Sequence, residues 1–246
     1  MAGHSKWNNI KQRKGAQDKK RSKIFQKLSR EIYMAAKQGG GDTDTNPALR
    51  LAMDRARAEN MPKDNIKRAI DKATTSGAGE DYDPVMYEGY GPSGVGILTE
   101  ALTDNRNRTN TNVRIAYNKN GGNIGEAGSV SYMFERKGYI AIERTTTDVD
   151  EDTMLMEVLE AGAEELETSE EVFEIFTEQT DFAQVRDYLE EEGFTLAQSE
   201  LTMIPMNTVA LSDEDYETLE NIIDALEDDD DVTDVHHNAV RASESP

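Results

Sequence analysis

The chain has no cysteine. That excludes disulfides, thiolate zinc sites and thiol nucleophiles from any account of its stability or chemistry. It has no apolar run approaching the roughly 18 residues a membrane helix needs, so no membrane partner is expected. Its first residues have no apolar core of the kind a secretory leader carries, and a cytoplasmic protein is the expectation. Histidine is scarce, three in 246 residues. The adjacent pair His236-His237 would point to opposite faces of a strand, and His4 lies far away in the chain, so no metal site is expected. The acidic run from Asp228 to Asp231 lacks the glycine and the closing glutamate of a calcium loop. No Ser/His/Asp set and no carboxylate pair has a spacing that singles it out. The expectation is therefore a protein that is not an enzyme, with no catalytic residue, cofactor or small-molecule substrate.

Charge is plentiful and unevenly placed. The formal net charge is −22. Yet the first 37 residues hold eleven Lys/Arg against two acids, a net +9. Residues 1–75 carry net +10 and residues 76–246 carry net −32. A dense cationic segment on an acidic chain meets a polyanion, of which nucleic acid is the commonest. From Asp18 to Gly39 no Gly or Pro interrupts the chain, and Ile24, Leu28, Ile32 and Ala36 recur at helical spacing. Lys20, Lys23, Lys27, Arg30 and Lys37 fall on a neighbouring face. Residues 1–17 read as an extended tail carrying Lys6, Trp7, Lys11, Arg13 and Lys14. The candidate nucleic-acid contacts are Lys6, Trp7, Lys11, Arg13, Lys14, Lys19, Lys20, Arg21, Lys23, Lys27 and Arg30, with Arg106 and Arg108 as a second phosphate contact. Trp7 either packs on the helices or stacks on a base. The competing reading of the cations is a solvated helix face.

Two further helices follow. Asn46 caps one with Pro47 at its first position, and Pro62 opens the next. Together with the first they read as a three-helix bundle whose surface adds Arg50, Arg55, Arg57, Lys63, Lys67, Arg68 and Lys72. The expected fold class is α+β: this bundle followed by two α+β domains, one inserted in the other. Residues 1–78 form the basic helical domain, and 79–135 with 205–240 a discontinuous domain. Residues 136–204 form an inserted ferredoxin-like domain of order β-α-β-β-α-β, and 241–246 a disordered tail. The segment Gly89-Tyr90-Gly91-Pro92-Ser93-Gly94 has dinucleotide-loop spacing, but a β-rich segment follows it where a helix is needed, so a hairpin-type turn is the reading.

Six ordered blocks resemble the YebC/PmpR family almost end to end: MAGHSKWNNIK-x-RK-x-x-QD-x-KR at the start, GGGD-x-D-x-NP-x-LR at 39–50, YEGYGPSG at 87–94, DNRNRT at 104–109, GG-N-x-G-x-x-GSV-x-Y-x-F at 121–134 and MIP at 203–205. The resemblance implies a helical N-terminal domain followed by two α+β domains, and a probable transcriptional regulator that binds DNA. The family also includes a mitochondrial translational activator of cytochrome c oxidase, and bacterial members implicated in helping ribosomes through proline-rich stretches. The expected partner is thus nucleic acid, either DNA or ribosomal RNA on the ribosome. An acidic protein-interaction adaptor is the alternative from another class.

Overall fold

The computed structural model describes residues 6–11, 21–75, 79 and 81–244. The protein is a mixed α+β chain with antiparallel sheets. It divides into two compact units, one joining Met1–Ala16 to Phe134–Asn207 and the other joining Gln17–Met133 to Thr208–Pro246.

The second unit begins with three helices, α2 (Arg21–Gly39), α3 (Pro47–Ala58) and α4 (Lys63–Thr75). Their apolar stripes meet in a core of Leu28, Ile32, Ala36, Leu49, Ala56, Met61, Ile66 and Ala69. Asn46 both caps α3 and ties it to α2. Its carboxamide oxygen accepts from the Leu49 N–H at 3.1 Å, while its nitrogen donates to the carbonyls of Ala35 and Gly40, each at 2.8 Å. Next come β1 (Asp83–Tyr90), β2 (Gly96–Thr103), α5 (Arg106–Lys119) and β3 (Asn123–Ile124). The Gly89–Gly94 segment turns β1 into antiparallel β2, with Ser93 and Gly94 at positive φ. The chain returns to this unit in β8 (Val209–Leu211), α8 (Asp213–Glu227), β9 (Val232–His237) and β10 (Ala239–Arg241). β9 pairs antiparallel with β2, giving the sheet order β3-β1-β2-β9. The core beneath it includes Ile97, Val113, Tyr117, Leu219, Ile222 and Val232, drawn from both stretches of sequence. β10 pairs in parallel with β8, and residues 242–244 form a short 3-10 turn. Arg241 and the turn after it are thus ordered where the sequence reading places a disordered tail. The backbone N–H and C=O groups of β8 offer this segment a ladder partner that hydropathy does not report.

The other unit holds a four-stranded sheet of order β5-β6-β4-β7, built from β4 (Phe134–Glu143), β5 (Glu165–Thr168), β6 (Val172–Thr177) and β7 (Gln198–Pro205). All three pairings are antiparallel. Helices α6 (Glu151–Ala161) and α7 (Phe182–Glu191) join the strands. Gly162 stops α6 in the left-handed region at φ 101°. Gly138 on β4 is required by the approach of α7, since a Cβ there would sit 2.6 Å from Phe182 Cδ2. Even-numbered β4 residues therefore face the helix layer, and Tyr139 and Ala141 face away.

That second face is covered. Residues 6–11, read from sequence as an extended tail, are helical and form α1. Trp7, only 5% exposed, joins Tyr139, Ala141, Val172, Phe176 and Ile204 in one apolar cluster, with Ile10 at its edge. The local sequence lacks the length to make a stable helix alone; the sheet supplies the burial that holds it.

Candidate nucleic-acid interface

The α2 stripe expected to face phosphate is seated on the protein's own acids. Lys23 donates to the Asp228 carbonyl at 3.0 Å and to its carboxylate at 3.1 Å. One turn on, Lys27 donates to the Glu227 carbonyl at 2.6 Å. Arg30 donates to the Leu102 carbonyl at 2.8 Å and to the Asp231 carboxylate at 2.9 Å, and its guanidinium lies 4.6 Å from the centre of the Tyr82 ring. The receiving segment is the end of α8, whose last carbonyls lack helical partners and carry the negative end of the helix dipole. Four consecutive aspartates follow it. Burial lowers the Lys27 amine below the usual lysine range despite the surrounding carboxylates.

Asp231 is the buried hub of this contact, 2% exposed. Besides Arg30 it accepts from Arg108 at 2.6 Å and from the Thr109 hydroxyl at 2.8 Å. Burial works to raise its carboxyl, but these donors outweigh it and hold it below the ordinary aspartate value. The DNRNRT segment thereby acquires a local account. Asn105 caps α5 by accepting from the Arg108 N–H at 3.0 Å, and Asp104 accepts from the Arg108 guanidinium at 2.7 Å. The Arg108 guanidinium is held well above its ordinary value by Asp231 and Asp104. Arg106 lies on the surface and pairs with Asp83 at 3.1 Å.

The arm cations that the structure describes are also engaged by the protein's own groups, Lys6 half-buried and Lys11 at the surface. Lys6 donates to the Thr202 hydroxyl at 3.1 Å and lies 3.7 Å from Glu200, while Lys11 meets Glu171 at 2.5 Å. Trp7 is packed as described above, so its ring faces the sheet and is not presented to a base. Beneath it Glu174 is fully buried and accepts from the Tyr139 hydroxyl at 2.7 Å. Burial pushes the Glu174 carboxyl up to about 8. Arg13, Lys14, Lys19 and Lys20 lie outside the described residues.

What remains for an external anion is mainly α4. Lys63 and Lys67 are exposed one turn apart, with no hydrogen bond or ion pair among the described residues. Arg68 is exposed, bonded to Asn65 and to the Asp64 carbonyl at 3.3 Å, and exposed Lys72 lies 5.5 Å from the centre of the Tyr33 ring. Arg21 on α2 and Arg114 and Lys119 on α5 are likewise exposed without a partner among the described residues. Sequence periodicity places Lys63, Lys67, Arg68 and Lys72 on the helical surface. It did not separate them from the α2 cations that the acidic turn takes up. The signal available was the aspartate run itself, an anionic block able to neutralise a matching cationic one.

His236 and His237 point to opposite sides of β9. One lies 3.3 Å from Glu100, the other edge-on to Tyr216. Among the described residues no helix is long and apolar enough to cross a membrane, and no cluster of three or more His, Asp and Glu is placed to hold a metal ion.

These features define a class: a mixed α+β protein with a cation-bearing helical segment followed by two acidic antiparallel sheets. Residues 5–76 match the TACO1/YebC protein N-terminal domain, and residues 82–239 match the TACO1/YebC second and third domain. The chain belongs to the TACO1/YebC family. A protein of Enterococcus faecalis named "Probable transcriptional regulatory protein" is 62% identical, the match covering 97% of this chain and 99% of that one. One of the same name from Ligilactobacillus salivarius is 63% identical over 97% of this chain and 98% of that one. The crystal structure of a conserved hypothetical protein from Aquifex aeolicus superposes with a TM-score of 0.79 at 41% identity, covering 91% of this chain and 92% of that one.

Proposed function

We propose that this chain is a non-enzymatic, nucleic-acid-binding regulator of gene expression. The names of its relatives support a regulatory role. The observation that carries the nucleic-acid reading is the pair Lys63 and Lys67. In a chain with 49 Asp/Glu, these cations stay exposed and unpaired among the described residues. The phosphate-facing residues in this reading are Lys63, Lys67, Arg68 and Lys72 of α4, with exposed Arg21 and the sequence candidates Arg13, Lys14, Lys19 and Lys20 as further contacts. Lys6, Trp7, Lys11, Lys23, Lys27, Arg30 and Arg108 serve the fold in this reading, and Arg106 is a peripheral contact. Phosphate contacts of this kind set affinity more than sequence choice.

The architecture we propose is a three-helix bundle followed by two α+β domains, with a ferredoxin-like domain inserted near residues 136–204. The strand order β5-β6-β4-β7 with α6 and α7 as its connections supports that description. A second reading within the same class is an RNA target on the ribosome. The net −32 of residues 76–246 favours it, because a long duplex would repel such a body on every side but one.

Titration of wild type and Lys63→Glu/Lys67→Glu against duplex DNA, single-stranded RNA and ribosomes tests the proposal. The double variant should bind its best target more weakly whatever the sequence. Its log–log salt slope should be smaller by about one to two, at about 0.9 per duplex phosphate and about 0.7 per single-strand phosphate. Unchanged affinity and slope in a variant that remains folded would overturn the α4 assignment, and the ranking of targets decides between DNA and ribosome.

A further inference from the structure

Helix α6 has apolar residues on both sides. Met154, Val158 and Ala161 are buried beneath it. On its outer side Leu155 is 41% exposed, Met156 72% and Leu159 54%. Each exposed large apolar side chain forgoes its transfer from water, and here three lie together on one side of the helix. Leu155 and Leu159 are four apart and Met156 and Leu159 three apart, so the three form one patch along the helix. Contiguous exposed apolar patches of this kind mark interaction surfaces, and methionine adapts readily to a partner's shape.

The surroundings specify the partner's charge. Asp152 lies one turn before the patch and Glu160 one turn after Met156, both exposed. From residue 145 to residue 185 the sequence has fourteen Asp/Glu and no Lys or Arg. Carboxylates at both ends of the patch disfavour nucleic acid and acidic proteins by repulsion. Together with the patch they favour a ligand that offers apolar side chains on one stripe and cations on its flanks. We propose that the outer face of α6 is a docking surface for a cationic amphipathic helix of a partner protein. Such a helix lays its i, i+3, i+4 and i+7 anchors against Leu155, Met156 and Leu159, and its flanking Lys and Arg reach Asp152 and Glu160. The surface lies wholly within the 134–207 unit and does not depend on the nucleic-acid reading.

The test uses the full chain and a fluorescent synthetic peptide of about 18 residues, with leucines at i, i+3, i+4 and i+7 and lysines elsewhere. A second peptide of identical composition but scrambled order measures charge attraction alone. Anisotropy titration should show the ordered peptide binding about tenfold or more tightly than the scrambled one. Leu155→Gln/Met156→Gln/Leu159→Gln should remove that preference, leaving the scrambled peptide's affinity unchanged. All three side chains are exposed, so the fold should survive, as circular dichroism would verify. Asp152→Asn/Glu160→Gln should weaken the ordered peptide at low salt and much less at high salt. Equal binding of the two peptides, or an unchanged preference in the triple variant, would overturn the proposal. So would sedimentation showing a wild-type dimer that the triple variant dissolves, because the occupant would then be a second copy of this chain.

Discussion

At the scale of single residues the buried carboxylates matter most, and they behave in opposite ways. Asp231 is buried but surrounded by donors, and its carboxyl lies below the ordinary value. Glu174 is buried with a tyrosine hydroxyl as its donor, next to the carboxylate of Glu167, and burial raises it to about 8. The consequence for stability follows from linkage. Between an unfolded glutamate value of about 4.3 and the folded value, the native state binds more protons than the unfolded one. The contribution of Glu174 to stability is therefore full below pH of about 4.3 and declines as pH rises through the folded value. Glu174→Gln keeps an acceptor for Tyr139 and removes the titration. Urea midpoints measured against pH should fall less steeply for the variant than for wild type across that window, and above pH 8 the variant should be the more stable. Parallel pH profiles for the two proteins would mean that Glu174 does not titrate with folding.

Single residues were also the most legible part of the sequence where their partners are local. Asn46-Pro47 announces a helix start because capping needs only a side-chain oxygen and an N–H three residues on. Asn105 does the same for α5. Trp7 was not legible in this way, because its partners Tyr139 and Phe176 lie more than 130 residues away in sequence.

At the scale of elements, the seating of α2 on the end of α8 is the contact that sequence periodicity missed. Lys23, Lys27 and Arg30 recur on one helix face, as a phosphate-binding row would, and in the folded protein the Glu227–Asp231 segment takes that row. A helix C-terminus followed by aspartates presents carbonyl and carboxylate oxygens much as a nucleic-acid backbone presents phosphate oxygens. Helical spacing alone cannot distinguish the two ligands. Lys23→Glu/Lys27→Glu places like charges against that segment. It should lower stability by about 1–2 kcal/mol at low ionic strength, less in high salt, because Lys23 is partly exposed. Denaturant midpoints at two salt concentrations check this. Unchanged stability together with a reduced nucleic-acid salt slope would return the row to the interface.

At the scale of the whole molecule, the order of elements in the chain differs from their order in space. Strand β9, starting at Val232, completes a sheet begun at Asp83, and α8 supplies Leu219, Ile222 and Leu226 to the core shared with Val113 and Tyr117. Removing residues 208–246 strips β2 of one of its two antiparallel neighbours and opens that core. Hydrogen exchange on the truncated chain should show loss of protection in β1 and β2, with retained protection in β4, β6 and β7, whose ladders lie within 134–205. Retained protection in β1 and β2 would show that this sheet does not need its C-terminal strand.

Most helices and strands were legible in the sequence, because apolar periodicity, caps and glycine stops act within a few residues; α1 was not, because the sheet that buries Trp7 comes from distant sequence. The sequence's motifs and charge division determined the family and the basic character of the first 75 residues. Which cations are available to a ligand depends on the fold. Pairing between Lys23 and Asp228, or Lys11 and Glu171, depends on chain segments that fold together from distant positions. A charge's sign is fixed by its residue, but its availability depends on what the fold brings within about 4 Å of it.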